Sequence, residues 1–455
     1  MKSKKKALTP EEKLSQALLP RKEWPYELPK GWVWTRLGAT SEIIMGQSPS
    51  GDSITNDIND IPLIGGASDM GKLYPEVTRY TTAPTKLSKK NDLILCIRAT
   101  LGRPIYSDGI YCLGRGVAAV RPQILLKEYL KYFIAESEQY LYQYATGTTF
   151  LQVNSKTLLN MPIPLPSIHE QQRIVNKIES LFAKLDEAGD RLQKVLDGYE
   201  ARRAAILHEA FSGKWTGDHG AGDMSVPKGW RKVKLSDVCT INPKKLDTSS
   251  LEDSLEVSFI PMASVDEVLG EVTKPDVRNL GKVKKGFTNF QEGDVVFAKI
   301  TPCMENGKSA VIGPLLNDIG YGTTEFYVLR CHPELYNRFL YHLVRSIKFR
   351  SEAKSQMTGA VGQQRVPKNF MADYEILLPP LNEQIQIVQM VDTFFKKEYE
   401  VRKKSQNVIE QISLLKKSIL ARAFRGELGT QDSSDPSALE LLKECVLAGK
   451  EVSKS

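Results

Sequence analysis

The stretch Leu165–Pro166–Ser167–Ile168–His169–Glu170–Gln171 decides the fold, because it returns as Leu378–Pro379–Pro380–Leu381–Asn382–Glu383–Gln384, 213 residues later. The spacing holds without a gap to Ala210–Phe211–Ser212–Gly213 and its counterpart Ala423–Phe424–Arg425–Gly426. Self-similarity at a fixed spacing is typical of a duplicated structural unit. The sequence therefore predicts two long helices of equal length, each preceded by proline and followed by glycine.

Both helices carry an apolar seven-residue repeat over about five heptads, which favours a supercoiled pair over one helix packed on an ordinary core. Each should extend roughly 63 Å at about 1.5 Å per residue. Ser167 and Glu170 have the spacing of a capping box. Glu398 and Ser405 place polar side chains in the second repeat. The predicted coiled-coil core is Ile174, Ile178, Leu181, Leu185, Leu192, Val195, Ile387, Val391, Phe394, Val401, Val408, Ile412 and Leu415.

A globular half precedes each helix, and the two halves begin alike. Pro29–Lys30–Gly31–Trp32 matches Pro227–Lys228–Gly229–Trp230, with a leucine five residues after each tryptophan. Further on, the β-rich runs 92–98 and 294–300 correspond, as do 114–121 and 322–330. The frameworks agree, whereas the residues at strand ends and loops differ. Two binding sites of different specificity on one scaffold require this pattern.

The order of the parts predicts the architecture. If the helices pair, the second must run back along the first, so the pair is antiparallel. We predict an α+β (mixed α/β) fold in which two tandem globular domains and the helix pair form a pseudo-twofold dumb-bell. The predicted limits are an N-terminal extension 1–23, recognition-type domain 24–166, first long helix 167–215, linker 216–225, second domain 226–379, second long helix 380–428 and tail 429–455.

Composition restricts the class of protein. Among 455 residues, 41% are hydrophobic and 25% charged, as in ordinary globular proteins. No apolar run reaches the roughly 18 residues of a membrane span, and no apolar signal core follows the basic residues 2–6. Six scattered cysteines without a C-x-x-C pair indicate reduced thiols and a cytoplasmic protein. We expect short helices at Thr9–Leu18 and about Pro436–Ala448, the first in a solvated tail.

Catalytic motifs are missing. Gly307–Lys308–Ser309 resembles the end of a phosphate-binding loop, but Pro302 stands where that loop requires glycine. Asn242–Pro243 resembles the start of an amino-methyltransferase motif. Lysines follow it, however, where that motif places an aromatic residue against the target base. The five histidines show no metal-ligand spacing, and no nucleophile elbow or zinc-protease motif occurs. A binding protein without metal or cofactor is therefore expected.

Polar and basic side chains at strand ends and in loops suit nucleic acid. Arginine and lysine can bond guanine O6 and N7, and asparagine or glutamine can bond adenine N6 and N7, in the major groove. The net charge of +8 permits such a role without requiring it. The candidate DNA-contacting residues are Arg98, Thr100, Arg103, Arg115, Thr149 and Gln152 in the first half, and Lys299, Thr301, Asn306, Lys308, Gln363, Gln364 and Arg365 in the second.

These motifs together resemble the specificity subunit of type I restriction–modification enzymes over about residues 24–428. The doubled Leu-Pro…Glu-Gln helix is the most specific part of the resemblance. The runs 297–308 and 359–367 look like one type of recognition domain, and 96–103 like another. Glu398 and Ser405 depart from the apolar repeat, so that stretch of helix could face a partner subunit.

The resemblance implies a non-catalytic chain whose two domains each read one half of a split, asymmetric sequence in double-stranded DNA. It implies that the helix pair sets the spacing and docks two methyltransferase subunits, which use S-adenosylmethionine to methylate adenine. Two restriction/translocase subunits, using ATP and Mg²⁺, would join for cleavage. Two alternatives stay open: a related system with methylation and cleavage on one polypeptide, or a two-domain scaffold that binds no DNA.

Overall fold

The computed structural model describes residues 9–147, 151–215, 226–268, 270–360 and 362–447. By their contacts, the residues form two compact units. The first unit takes in residues up to Arg191 together with those from Asn407 onward, and the second unit is Leu192–Gln406. Both units mix helices with sheets, which confirms the predicted α+β class. The predicted linker at 216–225 lies outside the described residues.

The first half of the chain begins with a helix and then forms short strands before the first long helix. In chain order it runs α1 (Pro10–Ala17), β1 (Val33–Arg36), α2 (Leu37–Thr40), β2 (Ser41–Met45), β3 (Ile54–Thr55), β4 (Ile61–Ile64), β5 (Tyr80–Thr81), β6 (Leu93–Cys96), β7 (Gly102–Tyr106), β8 (Cys112–Leu113), β9 (Val117–Pro122), α3 (Lys127–Glu136), α4 (Glu138–Gln143), α5 (Ser155–Leu159), β10 (Pro162–Leu165), α6 (Ile168–Asp197) and α7 (Tyr199–Phe211).

The second half repeats this order. It runs β11 (Arg231–Lys234), α8 (Leu235–Val238), β12 (Cys239–Ile241), β13 (Glu256–Ile260), β14 (Asp276–Asn279), α9 (Leu280–Val283), β15 (Thr288–Phe290), β16 (Val295–Ala298), β17 (Ser309–Val311), β18 (Gly320–Gly322), β19 (Phe326–Cys331), α10 (Asn337–Arg345), α11 (Ile347–Ser355), α12 (Lys368–Asp373), β20 (Glu375–Leu378), α13 (Leu381–Phe424) and α14 (Ala438–Leu447). Short 3₁₀ turns lie at Arg21–Glu23, Gly51–Ser53, Ala67–Asp69, Met262–Ser264 and Leu316–Asp318.

Two of the three sheets have the same strand order in both units, and the third differs, with the order β3-β5-β4-β8 in the first unit and β14-β13-β18-β15 in the second. The strand order β2-β9-β6-β7 in the first unit matches β12-β19-β16-β17 in the second, and β1-β10 matches β11-β20. Each central strand is apolar and fully buried, as the sequence predicted for 92–98 and 294–300. A bidentate ion pair recurs at the same place in both units. Arg121 donates to both oxygens of Asp92, and Arg330 donates to both oxygens of Asp294, all with N–O distances of 2.8 Å. The duplication therefore extends to buried charges.

The repeated motifs meet in each unit. The indole Nε1 of Trp32 donates to Glu170 Oε2 at 2.7 Å, and Trp230 donates to Glu383 Oε1 at 2.8 Å. The neighbouring Gln171 accepts from the Leu126 amide at 2.8 Å, which fixes the start of α3. Thus the Glu-Gln pair ties the tryptophan motif and a domain helix to the start of the long helix.

Each long helical segment begins in one unit, and its Ala-Phe-x-Gly end packs in the other unit. Phe424, at the end of α13, packs edge-on against Tyr129 of the first unit with ring centroids 5.2 Å apart. Phe211, at the end of α7, packs on Phe339 of the second unit at 5.0 Å. A Cβ on Gly426 would lie 2.2 Å from Pro29 Cγ, and the glycine φ of +72° is the left-handed conformation of a helix end. Each unit is therefore completed by the far end of the other half's helix.

The helices run antiparallel within each unit, as predicted. In the first unit, Lys416 of α13 pairs with Asp186 of α6 and Ile412 lies near Gly189. In the second unit, Arg402 of α13 stacks over Tyr199 of α7, with Cζ 4.9 Å from the ring centroid. Rising residue numbers on one helix meet falling numbers on the other.

Five predictions about the helices are corrected by the structure. The first helix is not continuous, since α6 ends at Asp197 and α7 begins at Tyr199. Arg202 Nη2 donates to the Val195 carbonyl at 2.7 Å, the acceptor that an unbroken helix would offer to the Tyr199 amide. The capping box is only half formed: Ser167 Oγ accepts from the Glu170 amide, but the Glu170 carboxylate binds Trp32 and Thr430 instead of returning to Ser167.

Four positions in the seam of α13 are shifted by one residue from the prediction. Phe394, Val401, Val408 and Leu415 were predicted as core but are 46%, 45%, 41% and 51% exposed. We call these four residues the outer stripe. The residues that follow them face the first helix instead, and the charged groups of Arg402 and Lys416 lie 4.9 and 5.2 Å from the ring centroids of Tyr199 and Phe182. Cationic groups can stack on aromatic rings, and a pattern of apolar residues does not register this.

The two polar departures also face inward. Glu398 accepts from Arg202 Nε at 2.8 Å, and Ser405 is only 5% exposed. These two side chains therefore pack within the chain, and the expectation that they face a partner subunit is wrong. Of the other predicted core residues, four are buried and five are half-buried. The buried ones are Ile174, Ile178, Ile387 and Val391, and the half-buried ones are Leu181, Leu185, Leu192, Val195 and Ile412.

The terminal helices are not a solvated periphery. Helix α1 contacts α14, and Thr35 Oγ1 donates to the Ala17 carbonyl at 2.8 Å. Ala438 and Leu442 of α14 are fully buried in the core of the first unit. Arg173 forms an ion pair with Asp435, which also accepts from Ser167 Oγ at 2.8 Å. The predicted solvated tail at the N-terminus is corrected accordingly.

Candidate nucleic-acid interface

In the second unit, a polar surface forms where β16 ends and β19 begins. The Lys299 amide donates to the Glu325 carbonyl at 2.9 Å, and the Val366 amide donates to the Lys299 carbonyl at 2.9 Å. Antiparallel neighbours bring the end of one strand beside the start of the next. Three segments distant in sequence, 299–301, 323–325 and 363–366, thereby share one edge of the sheet.

The first unit builds the same surface with other residues. The Ile97 amide donates to the Gly116 carbonyl, and the Val153 amide donates to the Ile97 carbonyl, both at 2.9 Å. These bonds match those of Lys299, so Gln152 occupies the position that Arg365 has in the second unit. The backbone frame is thus duplicated while its side chains differ.

Arg98 and Gln152 are brought together in the first unit. Arg98 donates from Nε and Nη2 to Gln152 Oε1, at 3.2 and 2.6 Å, and both side chains are half-buried. The contact leaves the Gln152 amide nitrogen and the remaining Arg98 N–H groups as donors. Such a pair can present several donors at fixed spacing to a base edge.

Three other candidates of the first unit flank this pair. Arg103 and Arg115 are exposed and Thr100 is half-buried. Arg103 has a φ of +50°, and the Arg115 amide donates to Ser48 Oγ at 3.3 Å. Burial raises the pKa of the Cys96 thiol to about 11, and Arg103 acts against that rise. Thr149 lies outside the described residues.

Arg365 is held by a carboxylate that sequence reasoning did not include. Its Nε and Nη2 donate to the two oxygens of Glu325, both at 2.9 Å, and its Nη1 donates to the Gln363 carbonyl at 3.1 Å. The bonds from Arg365 lower the pKa of Glu325, so the carboxylate is ionised at neutral pH. The Arg365 side chain is 44% exposed. The pair therefore presents a basic and an acidic group side by side.

The remaining candidates of the second unit fall into two sets. Thr301 exchanges two bonds with Gln364, whose amide donates to Thr301 Oγ1 at 3.2 Å and whose carbonyl accepts from the Thr301 amide at 3.0 Å. Lys299 Nζ lies 5.5 Å from the Tyr327 ring centroid, and Gln363 is exposed. Asn306 and Lys308 are directed elsewhere, towards Glu267 and the Met262 carbonyl.

Sequence reasoning missed Glu325 because it lies in a run read as strand, Gly322–Arg330. The polar triplet Thr323–Thr324–Glu325 immediately before the strand was the available signal. In the described parts of the chain, no three His, Cys, Asp or Glu side chains are grouped so as to hold a metal ion. Within those same parts, no helix is both long and apolar enough to cross a membrane.

The comparisons with known proteins agree with this geometry. A family model described as "Type I restriction modification DNA specificity domain" matches residues 29–196 and 227–411. The chain is 33% identical over 266 residues to the EcoEI specificity subunit of Escherichia coli, covering 48% of this chain and 44% of that protein. It is 22% identical over 433 residues to the StySPI specificity subunit of Salmonella potsdam, covering 89% and 91%. The first-named alignment thus spans under half of the relative's length.

Solved structures show the same fold. The HsdS subunit from Thermoanaerobacter tengcongensis aligns with a TM-score of 0.58 at 24% identity, covering 90% of this chain and all of that one. A chain from a study of assembly and conformational transition of the type I R-M system aligns with a TM-score of 0.61 at 22% identity, covering 89% and 100%. Because the family model covers most of the sequence in two tandem matches, the chain belongs to the type I restriction modification DNA specificity family.

Proposed function

We propose that this chain is the sequence-reading subunit of a type I restriction–modification complex, and that each unit reads one half of a split, asymmetric DNA target. The observation that carries the proposal is the duplicated polar surface at the ends of β6 and β16. Equivalent backbone positions hold Gln152 in one unit and Arg365 in the other. One frame with two sets of side chains suits two different half-sites.

The side chains suit base readout. Arginine can bond guanine O6 and N7, glutamine can bond adenine N6 and N7, and a carboxylate can accept from cytosine N4. We propose Arg98 and Gln152 as readers in the first unit and Arg365 with Glu325 in the second. Lys299 and the exposed Arg103 and Arg115 are better placed for phosphate contacts, which position the protein without reading sequence.

The outer stripe supports the proposed docking of methyltransferase subunits. It exposes four large apolar side chains along α13, two in each unit. Large apolar side chains exposed on one face of a helix are typical of surfaces that a protein partner covers. A duplicated chain with one such segment in each unit suits two copies of one partner.

We further propose that the chain performs no chemistry and needs no cofactor of its own. S-adenosylmethionine would be bound by the two methyltransferase subunits, and ATP with Mg²⁺ by two restriction/translocase subunits. The chain would act in the cytoplasm, where its DNA target and these partners reside. Methylation of adenine would then depend on this chain only for the choice of site.

The experiment that tests the proposal is a genome-wide map of methylated adenines in a host with and without this gene. We expect one bipartite, asymmetric motif to be methylated only when the gene is present. The same map after expression of the gene beside a foreign methyltransferase subunit gives the control for partner choice. A protein-binding scaffold would leave the map unchanged in both hosts, and that result would contradict DNA recognition.

A further inference from the structure

A second polar site lies in the second unit. It is a cavity of about 310 Å³ between α7, the end of α10, α11 and the turn at 305–307. Three arginines from three different elements line it: Arg203 on α7, Arg345 at the end of α10 and Arg350 on α11. The volume is at the small end of ligand pockets, so it suits a small group.

The backbone and aromatic rings hold these arginines in place. Arg345 Nη2 donates to the carbonyls of Glu267 and Val268 at 2.8 and 3.2 Å. Arg350 Nε donates to the Arg345 carbonyl at 3.1 Å, and its Nη1 donates to the Glu305 carbonyl. Arg203 lies over the Phe395 ring with Cζ 3.6 Å from the centroid. The guanidinium groups are thus fixed before any ligand arrives.

Their charge is weakly compensated. Over the described ranges, none of the three forms an ion pair with a carboxylate, whereas neighbouring arginines do, as in Arg202 with Glu398 and Arg338 with Asp392. Glu200 and Glu267 stand on the cavity wall, and Glu267 Oε2 accepts from Asn306 Nδ2 at 3.1 Å.

The pKa values reflect this crowding. Burial lowers the pKa of Arg345 and Arg203 lowers it further, while Tyr341 and Asp266 oppose the shift. Burial also lowers the pKa of Arg350, with Arg345 and Arg203 adding to the effect and Glu200 opposing it. Like charges gathered in a partly desolvated space favour an anion between them.

The first unit does not repeat the cluster. Lys416 lies over Phe182 as Arg203 lies over Phe395. Gln171 and Gln384 bind the amides of Leu126 and Tyr336, which places Ala135 where the second unit has Arg345. Since the scaffold is built without these arginines in one unit, their presence in the other is not required by the fold.

We propose that Arg203, Arg345 and Arg350 form a binding site for a phosphate group. The N–H groups that the carbonyls leave free can bind phosphate oxygens with charge-assisted hydrogen bonds, and the nearby charge of Arg345 adds to the attraction. The group could be free phosphate or a phosphate of a DNA backbone, because both present the same oxygens. This site uses none of the side chains proposed above to read bases. Binding of free phosphate to it does not depend on DNA recognition.

The test titrates the full-length chain with inorganic phosphate at constant ionic strength, using calorimetry and the thermal unfolding midpoint. We expect saturable binding at about millimolar or tighter. Arg203→Gln and Arg350→Gln should each weaken it about tenfold, the effect of one charged hydrogen bond. Arg191→Gln, an exposed arginine of α6, is the matched control and should bind as the parent. No saturable binding, or equal binding by all variants, would overturn the proposal.

Two further measurements keep the result interpretable. If Arg203→Gln does not fold, Arg203→Lys retains the charge and loses the fork, and should bind phosphate more weakly than the parent. The source of the phosphate follows from the slope of log DNA affinity against log salt. If that slope falls by about one in Arg203→Gln, the group belongs to DNA; an unchanged slope with lost phosphate binding indicates a free phosphate.

Discussion

Trp32 donates its indole N–H to the buried carboxylate of Glu170 at 2.7 Å. This bond joins the first Pro-Lys-Gly-Trp motif to the start of the long helix. Burial raises the pKa of Glu170, while the bonds from Trp32 and Thr430 oppose that rise. The tryptophan therefore keeps a costly charge tolerable inside the first unit.

Replacing Trp32 with phenylalanine should destabilise the first unit by about 1–3 kcal/mol, because a buried carboxylate loses one of its two side-chain donors. The loss should be larger at neutral pH than in mild acid. Without the donor, the pKa of Glu170 rises further, so stability falls as the pH climbs through the unfolded pKa towards the folded one. Urea unfolding at two pH values measures this.

Trp230→Phe is the matched control for that substitution. Glu383 is less buried than Glu170 and can be solvated, so the second unit should lose less stability. Equal costs at both tryptophans, without pH dependence, would mean that lost ring volume and not the carboxylate governs the effect.

A second prediction concerns the two faces of α13. Val391→Asp places a charge in a fully buried position and should cost several kcal/mol of stability. Val401→Asp, on the outer stripe, should change stability by no more than about 0.5 kcal/mol. It should nevertheless reduce recovery of the methyltransferase subunit in co-purification. A Val401→Asp chain that retains its partner fully would argue against docking on this face.

The helix faces show where sequence reasoning reached its limit. The duplication, the antiparallel pairing and the buried central strands follow from repeats and apolar runs, so they were predictable. The choice between Phe394 and Phe395 was not, because Phe395 is selected by Arg203 of α7, which lies over its ring, and no pattern within α13 contains that contact. Glu398 enters the seam because Arg202 lies opposite, and no pattern within one helix contains that information.

The polar surface at the ends of β6 and β16 shows a similar limit of what the sequence predicts. The sequence placed Arg365 and Gln152 in comparable loops, and the structure gives them equivalent backbone positions. It could not supply Glu325 as the partner of Arg365, since 40 residues separate them. Nor could it separate Asn306 and Lys308 from the remaining candidates, because the turn after Pro302 directs both towards 262–267.

A third prediction concerns the C-terminal tail. Arg173 lowers the pKa of Asp435 through a hydrogen-bonded ion pair. A lowered carboxyl pKa stabilises the fold above the unfolded value, and the gain is lost as the pH falls through the folded pKa. Asp435→Asn should therefore lower the unfolding midpoint at neutral pH and make it less sensitive to acid. Hydrogen exchange should show the loosening around Trp32 and not around Trp230; a uniform change would contradict the assignment of the tail to the first unit.

A fourth prediction concerns Arg365 and Glu325. If Arg365 reads a guanine, Arg365→Ala should weaken binding to the cognate site about tenfold or more and relax specificity at one base pair. Glu325→Gln releases Arg365 and removes a negative charge from the surface, so affinity for all sequences should rise while discrimination falls. Affinities for the cognate site and its single-base variants at two salt concentrations separate these effects. A uniform loss for Arg365→Ala on every sequence would assign the side chain to phosphate.

The central claim is that each unit reads its own half of the target. It is tested most directly by replacing residues 226–379 with the equivalent domain of another specificity subunit and mapping methylated adenines across the genome. We expect the half-site read by the first unit to remain and the other half-site to change to that of the donor protein. A map in which both half-sites change, or in which neither does, would contradict independent reading by the two units.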